Sequence, residues 1–221
     1  MKEKPILFSG PMVVALLSGS KTQTRRVMKP QPEPIPDRPG DHWWPCNAFQ
    51  TMLSVSEVSE PGAHGMAGDA CPHGAHRDRL RVRETFFAYG RWETRYSEKK
   101  KRDEWHFVDM TSECGHCYQY AADAPDLQLE TGRGVLPGWY TRPAIFMPRA
   151  ASRILLEITS VRVERLNDIS STDAELEGVK CNMSALGFVD HYRALWERIN
   201  GAGTWAANPW VWVIEFKRVT P

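Results

Sequence analysis

Hydrophobic positions along the chain recur with two periods, and each period marks an element. Ile6, Leu7 and Phe8 form a short apolar run that reads as a strand. Ser9 or Gly10 then stands as a helix cap with Pro11 in the first turn, and Met12, Val13, Leu16 and Leu17 recur at helical spacing until Gly19 ends the helix. Thr22 to Val27 alternate as a strand would, which puts Thr22, Thr24 and Arg26 on one face. Arg77 to Phe86 alternate as well, with Leu80, Val82 and Glu84 on one side and Arg77, Arg79, Arg81 and Arg83 on the other. Ile154 to Leu166 is β-branched and alternating, one long strand or two with a bend. Trp210 to Phe216 is apolar on both faces and reads as a central strand. Between these last two, Ser170 with Asp173 opens a helix that runs through Ala174, Glu175, Leu176 and Glu177 to Gly178. A second helix carries the stripe Tyr192, Leu195, Trp196 and Ile199 and stops at Asn200-Gly201.

Two stretches break both periods. Residues 29–76 are punctuated by Pro30, Pro32, Pro34, Pro36, Pro39, Pro45 and Pro61, and residues 89–149 carry the Lys99-Lys100-Lys101-Arg102 run and the Pro137-Gly138 pair. Both read as long loop-rich insertions, the first packed by Trp43, Trp44 and Phe49. The expectation is an α+β fold in a single domain over 1–221, a small curved sheet or barrel with helices against it.

Composition narrows the function classes. A chain of 221 residues suffices for one substantial core or two small ones, and a net charge of +1 gives no global field to attract nucleic acid, so any basic patch is local. No apolar run approaches the length of a membrane span, and the start of the chain has no signal-peptide core. With five cysteines, an odd number, and no secretory context, reduced thiols and a cytoplasmic location are expected.

The candidate chemistry begins at Lys21-Thr22-Gln23-Thr24-Arg25-Arg26. A lysine acts as a base only when its charge is suppressed, and a threonine hydroxyl is inert without a base, so the two together can form a hydrolytic nucleophile. The plain alternative is a basic surface turn. A regular strand would send Lys21 and Thr24 apart, and only a turn at Lys21 brings both into one cleft. Glu177, in the last turn of its helix, and Glu84, beside Leu80 and Val82, are the two carboxylates that could complete such a site. A helix-end glutamate in solvent and a structural ion pair are their respective alternatives. The arginines at 77, 79, 81 and 83 suit phosphate oxygens, or else form a solvated strand edge. Cys114-Gly115-His116-Cys117 has zinc-knuckle spacing, with Cys71-Pro72-His73 or Cys46 as remaining ligands. No second Cys-x-x-Cys or His pair completes that set, and neither metal nor cofactor is expected. No P-loop, dinucleotide fingerprint, nucleophile elbow or metalloprotease helix is present.

The order of pieces resembles the ASCH family, whose fold is similar to the PUA barrel of RNA-binding domains. A strand and helix lead into Lys21-Thr22-Gln23-Thr24-Arg25, followed by Asp78-Arg79-Leu80-Arg81-Val82, Ile158 to Leu166, Ala174-Glu175-Leu176-Glu177 and Val213-Ile214-Glu215-Phe216-Lys217. The long form, with Arg83-Glu84-Thr85-Phe86 and a tryptophan-rich end, is similar to proteins of phage and prophage genomes. Small bacterial N4-acetylcytidine amidohydrolases belong to the same family, and their lysine, threonine and glutamate fall on Lys21, Thr24 and Glu177. The resemblance implies hydrolysis of an acyl amide on a modified pyrimidine nucleoside or nucleotide; beside it Arg26, Trp139 and Glu84, the last without a counterpart in those enzymes, are the expected substrate-binding residues. An RNA-binding module without catalysis and a ribonuclease are the other functions it leaves open. Those enzymes are about half as long as this chain and lack both insertions, so the substrate does not transfer with the fold.

Overall fold

The computed structural model describes residues 1–46, 51–54, 68, 70–180 and 187–219, with backbone alone at 44–46 and 51–53. The packing expected of Trp44 and Phe49 and the ligand role considered for Cys46 therefore lie outside the described side chains. The chain is mixed α+β and divides into two compact units. One comprises Met1–Ile6, Ala15–Arg81 and Ile154–Pro221, the other Leu7–Val14 and Val82–Arg153.

The first unit is built on a five-stranded sheet whose order is β1 (Glu3–Leu7), β6 (Arg79–Arg83), β11 (Leu155–Arg165), β12 (Trp210–Val219) and β2 (Gln23–Val27). β12 is flanked on both sides, and Val211, Trp212, Val213 and Ile214 are fully buried there, which explains the unbroken apolar run. Registers Val213↔Arg25 and Ile214↔Thr24 fix the two sheet faces. Val211 and Val213 pack against Leu166, Ile169, Ala174, Tyr192 and Trp196. These come from the segment around α2 (Ser171–Leu176) and from α3 (Phe188–Asn200). Trp212, Ile214 and Phe216 point the other way, in register with Val163, Val161 and Ile158 of β11.

β11 keeps that face only because it carries one extra residue. Ile158 pairs with Phe216 but Ser160 pairs with Glu215, leaving Thr159 as a bulge. Buried Leu156 and Ile158 lie at even positions before it, and buried Val161 and Val163 at odd positions after it. The alternatives of one strand or two with a bend resolve as a single bulged strand.

α2 opens with the expected capping box, Ser170 accepting from the Asp173 amide while the Asp173 side chain reaches back. It closes at Glu177 and Gly178, the latter at φ +82°. In α3, Tyr192 and Trp196 are buried, but Ile199 is 59% exposed, a correction to the expected stripe because it lies in the last turn.

The insertions are more ordered than their composition indicates. Residues 29–76 include a three-stranded sheet of β3 (Glu33–Pro34), β4 (His42–Cys46) and β5 (Thr51–Ser54). Pro45 of the middle strand pairs with Met52 of β5 and lies beyond the reach of β3, which pairs only with His42 and Trp43.

The second unit corrects the loop reading of 89–149. β7 (Phe86–Ser97) and β8 (Arg102–Asp109) form a long antiparallel hairpin, with β10 (Gly138–Arg142) and the short β9 (Gln119–Tyr120) also paired to β7. Its core is Phe86, Ala88, Met147 and Ala151. The lysine-rich run forms the hairpin turn, with Lys100 paired to Glu104 at 2.7 Å. The strands named here form open sheets rather than a closed barrel. Among the described residues, no helix is long and apolar enough to cross a membrane.

Candidate functional site

The site in the first unit is assembled by backbone before any side chain takes part. After Gly19 turns the chain, the Lys21 amide donates to Ala15 O at 3.1 Å, and Lys21 forms an antiparallel bridge with Glu177. Thr22 donates to Leu176 O at 2.9 Å and accepts from the Phe216 amide at 2.8 Å. The end of α2 is thus stitched to the start of β2, and Lys21 faces Glu177 as a result. Gly178 permits the approach: a Cβ there would lie 2.8 Å from the Ala15 Cβ and 2.9 Å from the Lys21 Cβ.

Lys21 Nζ donates to Glu177 Oε2 at 2.7 Å and to the Glu177 carbonyl at 2.8 Å. Lys21 is 4% exposed and Glu177 3%. The other carboxylate oxygen, Oε1, accepts from Arg25 Nη1 at 3.3 Å. Burial lowers the Lys21 pKa from its ordinary value; Glu177 opposes the shift, and Arg26 and Arg25 add to it. Such a lysine yields its proton more readily than one in water.

A charged network extends from this couple. Arg25 Nη2 reaches Glu164 Oε2 at 3.0 Å and Asp173 Oδ2 at 3.4 Å. Gln23 donates to the Asp173 carbonyl at 2.8 Å and to Oδ1 at 3.1 Å. Arg162 joins Glu164, Asp173 and Glu215. Lys21, Gln23 and Arg25 are buried, whereas Arg162 and Glu215 reach solvent, so hydrogen bonds run from a dry interior to the surface.

Thr24 is buried, in register with Ile214, on the sheet face opposite Gln23 and Arg25. Among the described residues its hydroxyl makes no hydrogen bond, and the Lys21 amine is turned to Glu177. Arg26 starts on the Thr24 face, yet β2 is an edge strand and the long side chain senses the helices. Burial lowers the Arg26 pKa, while Glu177 and Tyr192 oppose the shift. Burial likewise pushes the Tyr192 phenol well above its ordinary value, with Glu177 reinforcing the rise and Arg25 and Arg26 opposing it.

The remaining expected residues are elsewhere. Glu84, in the second unit, is held by Arg153 through Nε at 3.0 Å and Nη2 at 3.2 Å. Arg153 also binds Asp123 and lies over the Tyr120 ring, so Glu84 sits in a structural ion pair. Trp139 stands in the same unit with Tyr89 and His116 at ring-centroid distances of 5.7 and 5.3 Å. Arg77 leaves the arginine row at φ +70°, Arg81 pairs with Glu3 at 3.4 Å, and Arg83 donates to Ile145 O at 3.2 Å. Cys71 is buried in the first unit, and Cys114 and Cys117 are exposed in the second. Among the described residues, no group of three or more His, Cys, Asp or Glu is arranged to hold a metal ion.

Gln23, Glu164 and Arg162 were not singled out by sequence reasoning, Asp173 only as a helix cap, and Arg25 only as a possible partner for Glu84. Their signal is that β2 is polar on both faces, which a strand inside a fold sustains only when partners wait on each side. No family model, curated protein or solved structure matches this chain.

Proposed function

We propose that the chain is an amidohydrolase of ASCH-like, PUA-like type, removing an acyl group from the exocyclic amine of an N4-acetylcytidine-like nucleoside. One observation carries the reading: a buried lysine amine, its pKa lowered, 2.7 Å from a buried glutamate whose second oxygen is held by an arginine. Amide hydrolysis needs a group that accepts a proton from the nucleophile and returns one to the leaving amine, and such a couple does both. Lys21 takes the proton of the attacking hydroxyl as the acyl carbon becomes tetrahedral. Collapse breaks the C–N bond, and the same proton passes to the departing amine. Glu177 holds Lys21 in place and balances the charge that forms on it, and Arg25 holds Glu177. Arg26 provides a guanidinium for the polar edge of the base.

The attacking hydroxyl is that of Thr24 in the lysine–threonine–glutamate arrangement that the sequence resembles. Collapse then leaves the acyl group as an ester on Thr24, which water, giving its proton to Lys21, hydrolyses to free acid and Thr24 hydroxyl. This route requires Nζ to exchange Glu177 for Thr24 when substrate enters. The Thr24 hydroxyl, which makes no hydrogen bond among the described residues and lies on the face opposite Arg25, supports a second route in which water attacks directly and Thr24 lines the acyl group. Lys21→Met should lower kcat/KM on N4-acetylcytidine by about 10²–10⁴. Full activity in that variant ends the proposal. Thr24→Ala separates the routes: a comparable loss identifies Thr24 as nucleophile, and a loss below about tenfold identifies water. In either route activity rises with pH through the Lys21 pKa, at lower pH than the ordinary value of 10.5.

A further inference from the structure

The second unit carries a surface unrelated to the Lys21–Glu177 couple. On one face of the β7–β8 hairpin Trp92 and Phe107 are direct cross-strand partners, with ring centroids 5.4 Å apart. Arg142 of β10 lies over this pair, its guanidinium carbon 4.3 Å from the Phe107 centroid and 5.0 Å from that of Trp92. It is also 5.1 Å from the ring of Phe146. Arg133 repeats the arrangement, 5.5 Å from Trp92 and 5.8 Å from Trp105. Rings and guanidiniums therefore follow one another from Phe146 through Arg142, the Trp92–Phe107 pair and Arg133 to Trp105.

Two properties set this row apart from a structural cation–π contact. Among the described residues neither Arg133 nor Arg142 has a carboxylate in ion-pair range. The acid that Arg142 senses is Asp109, whose oxygens are taken by Thr111 and Tyr118. A guanidinium stacked on a ring presents its face to that ring and leaves its in-plane N–H groups for an outside acceptor. The terminal rings, moreover, are open: Phe146 is 57% exposed and Trp105 40%. An aromatic this exposed beside an unpaired arginine suits a ligand that is itself alternately aromatic and anionic.

We infer that this row binds single-stranded nucleic acid, unpaired bases stacking on Trp105 and Phe146 while Arg133 and Arg142 grip the intervening phosphates. Both halves of the ligand are matched: stacking on aromatic side chains is tolerant of sequence, and planar guanidinium forks fit phosphate oxygens. A protein partner would bring carboxylates for the arginines but no run of planar rings, and a duplex keeps its bases stacked on one another. The inference does not rest on the proposed hydrolase reading.

The test is fluorescence anisotropy of a labelled twelve-nucleotide oligouridylate titrated with the full chain. Binding is expected, with tryptophan quenching, and a duplex of equal length should bind at least tenfold more weakly. Arg133→Gln with Trp105→Ala should weaken oligouridylate binding at least tenfold; both side chains are exposed, so the fold is spared. Arg142→Lys retains the charge and loses the stacked fork, and it should also weaken binding. The inference is overturned if the oligomer does not bind, if the duplex binds equally, or if the folded variants bind like the parent. Binding is read without turnover, so the result stands whether or not the chain hydrolyses N4-acetylcytidine.

Discussion

At the scale of single residues, the site depends on one position that has no charge at all. Gly178 follows Glu177 at φ +82° and lies against Ala15 and Lys21 where a Cβ would be closer than van der Waals contact to both. Gly178→Ala combines an unfavourable left-handed backbone with two clashes, and should cost about 1–3 kcal/mol in urea unfolding. A variant as stable as the parent would mean that α2 can retreat from Lys21 without cost. The glycine was legible in the sequence as a helix stop, but its packing role was not, because the approach to Lys21 spans more than 150 residues of chain. Lys21, Thr24 and Glu177 were expected together from the resemblance and the order of pieces; Lys21 and Glu177 meet, whereas Thr24 lies on the sheet face opposite Arg25. Arg25 was hidden by its neighbours, since adjacent arginines look alike until the strand's two faces are known.

At the scale of elements, the Lys21–Glu177 couple is held by the β2–α2 stitching and does not hold it. The hydrogen bonds Lys21 N–Ala15 O and Thr22 N–Leu176 O are independent of either charge. Glu177→Leu alone should therefore be costly, about 3–5 kcal/mol, because it strands a buried amine and removes a partner of Arg25. The double variant Lys21→Met with Glu177→Leu should recover most of that loss and remain within about 1 kcal/mol of the parent in chemical denaturation. A double variant as unstable as the single one would show that the charges build the junction. The capping box of α2 and the buried β12 were legible from local pattern alone. The β7–β8 hairpin was missed although Arg91, Glu93 and Arg95 alternate with Trp92, Thr94 and Tyr96. Its charged half made the segment look like loop, and the lysine-rich turn strengthened that impression.

At the scale of the whole molecule, two compact units divide the chain at points that no composition shift marks, within β1, within α1 (Gly10–Leu17), within β6 and after Arg153. The proline-rich stretch that suggested an insertion belongs to the first unit's chain, and the second insertion is most of the second unit. Stability should also depend on pH through His73, whose pKa falls to about 4 through burial, with Arg26 and Lys4 adding to the shift. The unfolded chain, with a histidine near 6.5, takes up the proton first, so stability falls as pH drops from about 6.5 to about 4 and this component is then fully lost. His73→Gln should flatten that part of the stability profile; an unchanged slope would remove His73 as its source. The bulge at Thr159 has a consequence for the ensemble as a whole. It absorbs a shift of phase in the sequence, so a strand that kept Thr159 but paired it regularly would turn Arg162 and Glu164 into the apolar layer and Val161 and Val163 out of it. One supernumerary residue thus decides which side of the molecule is salt and which is oil.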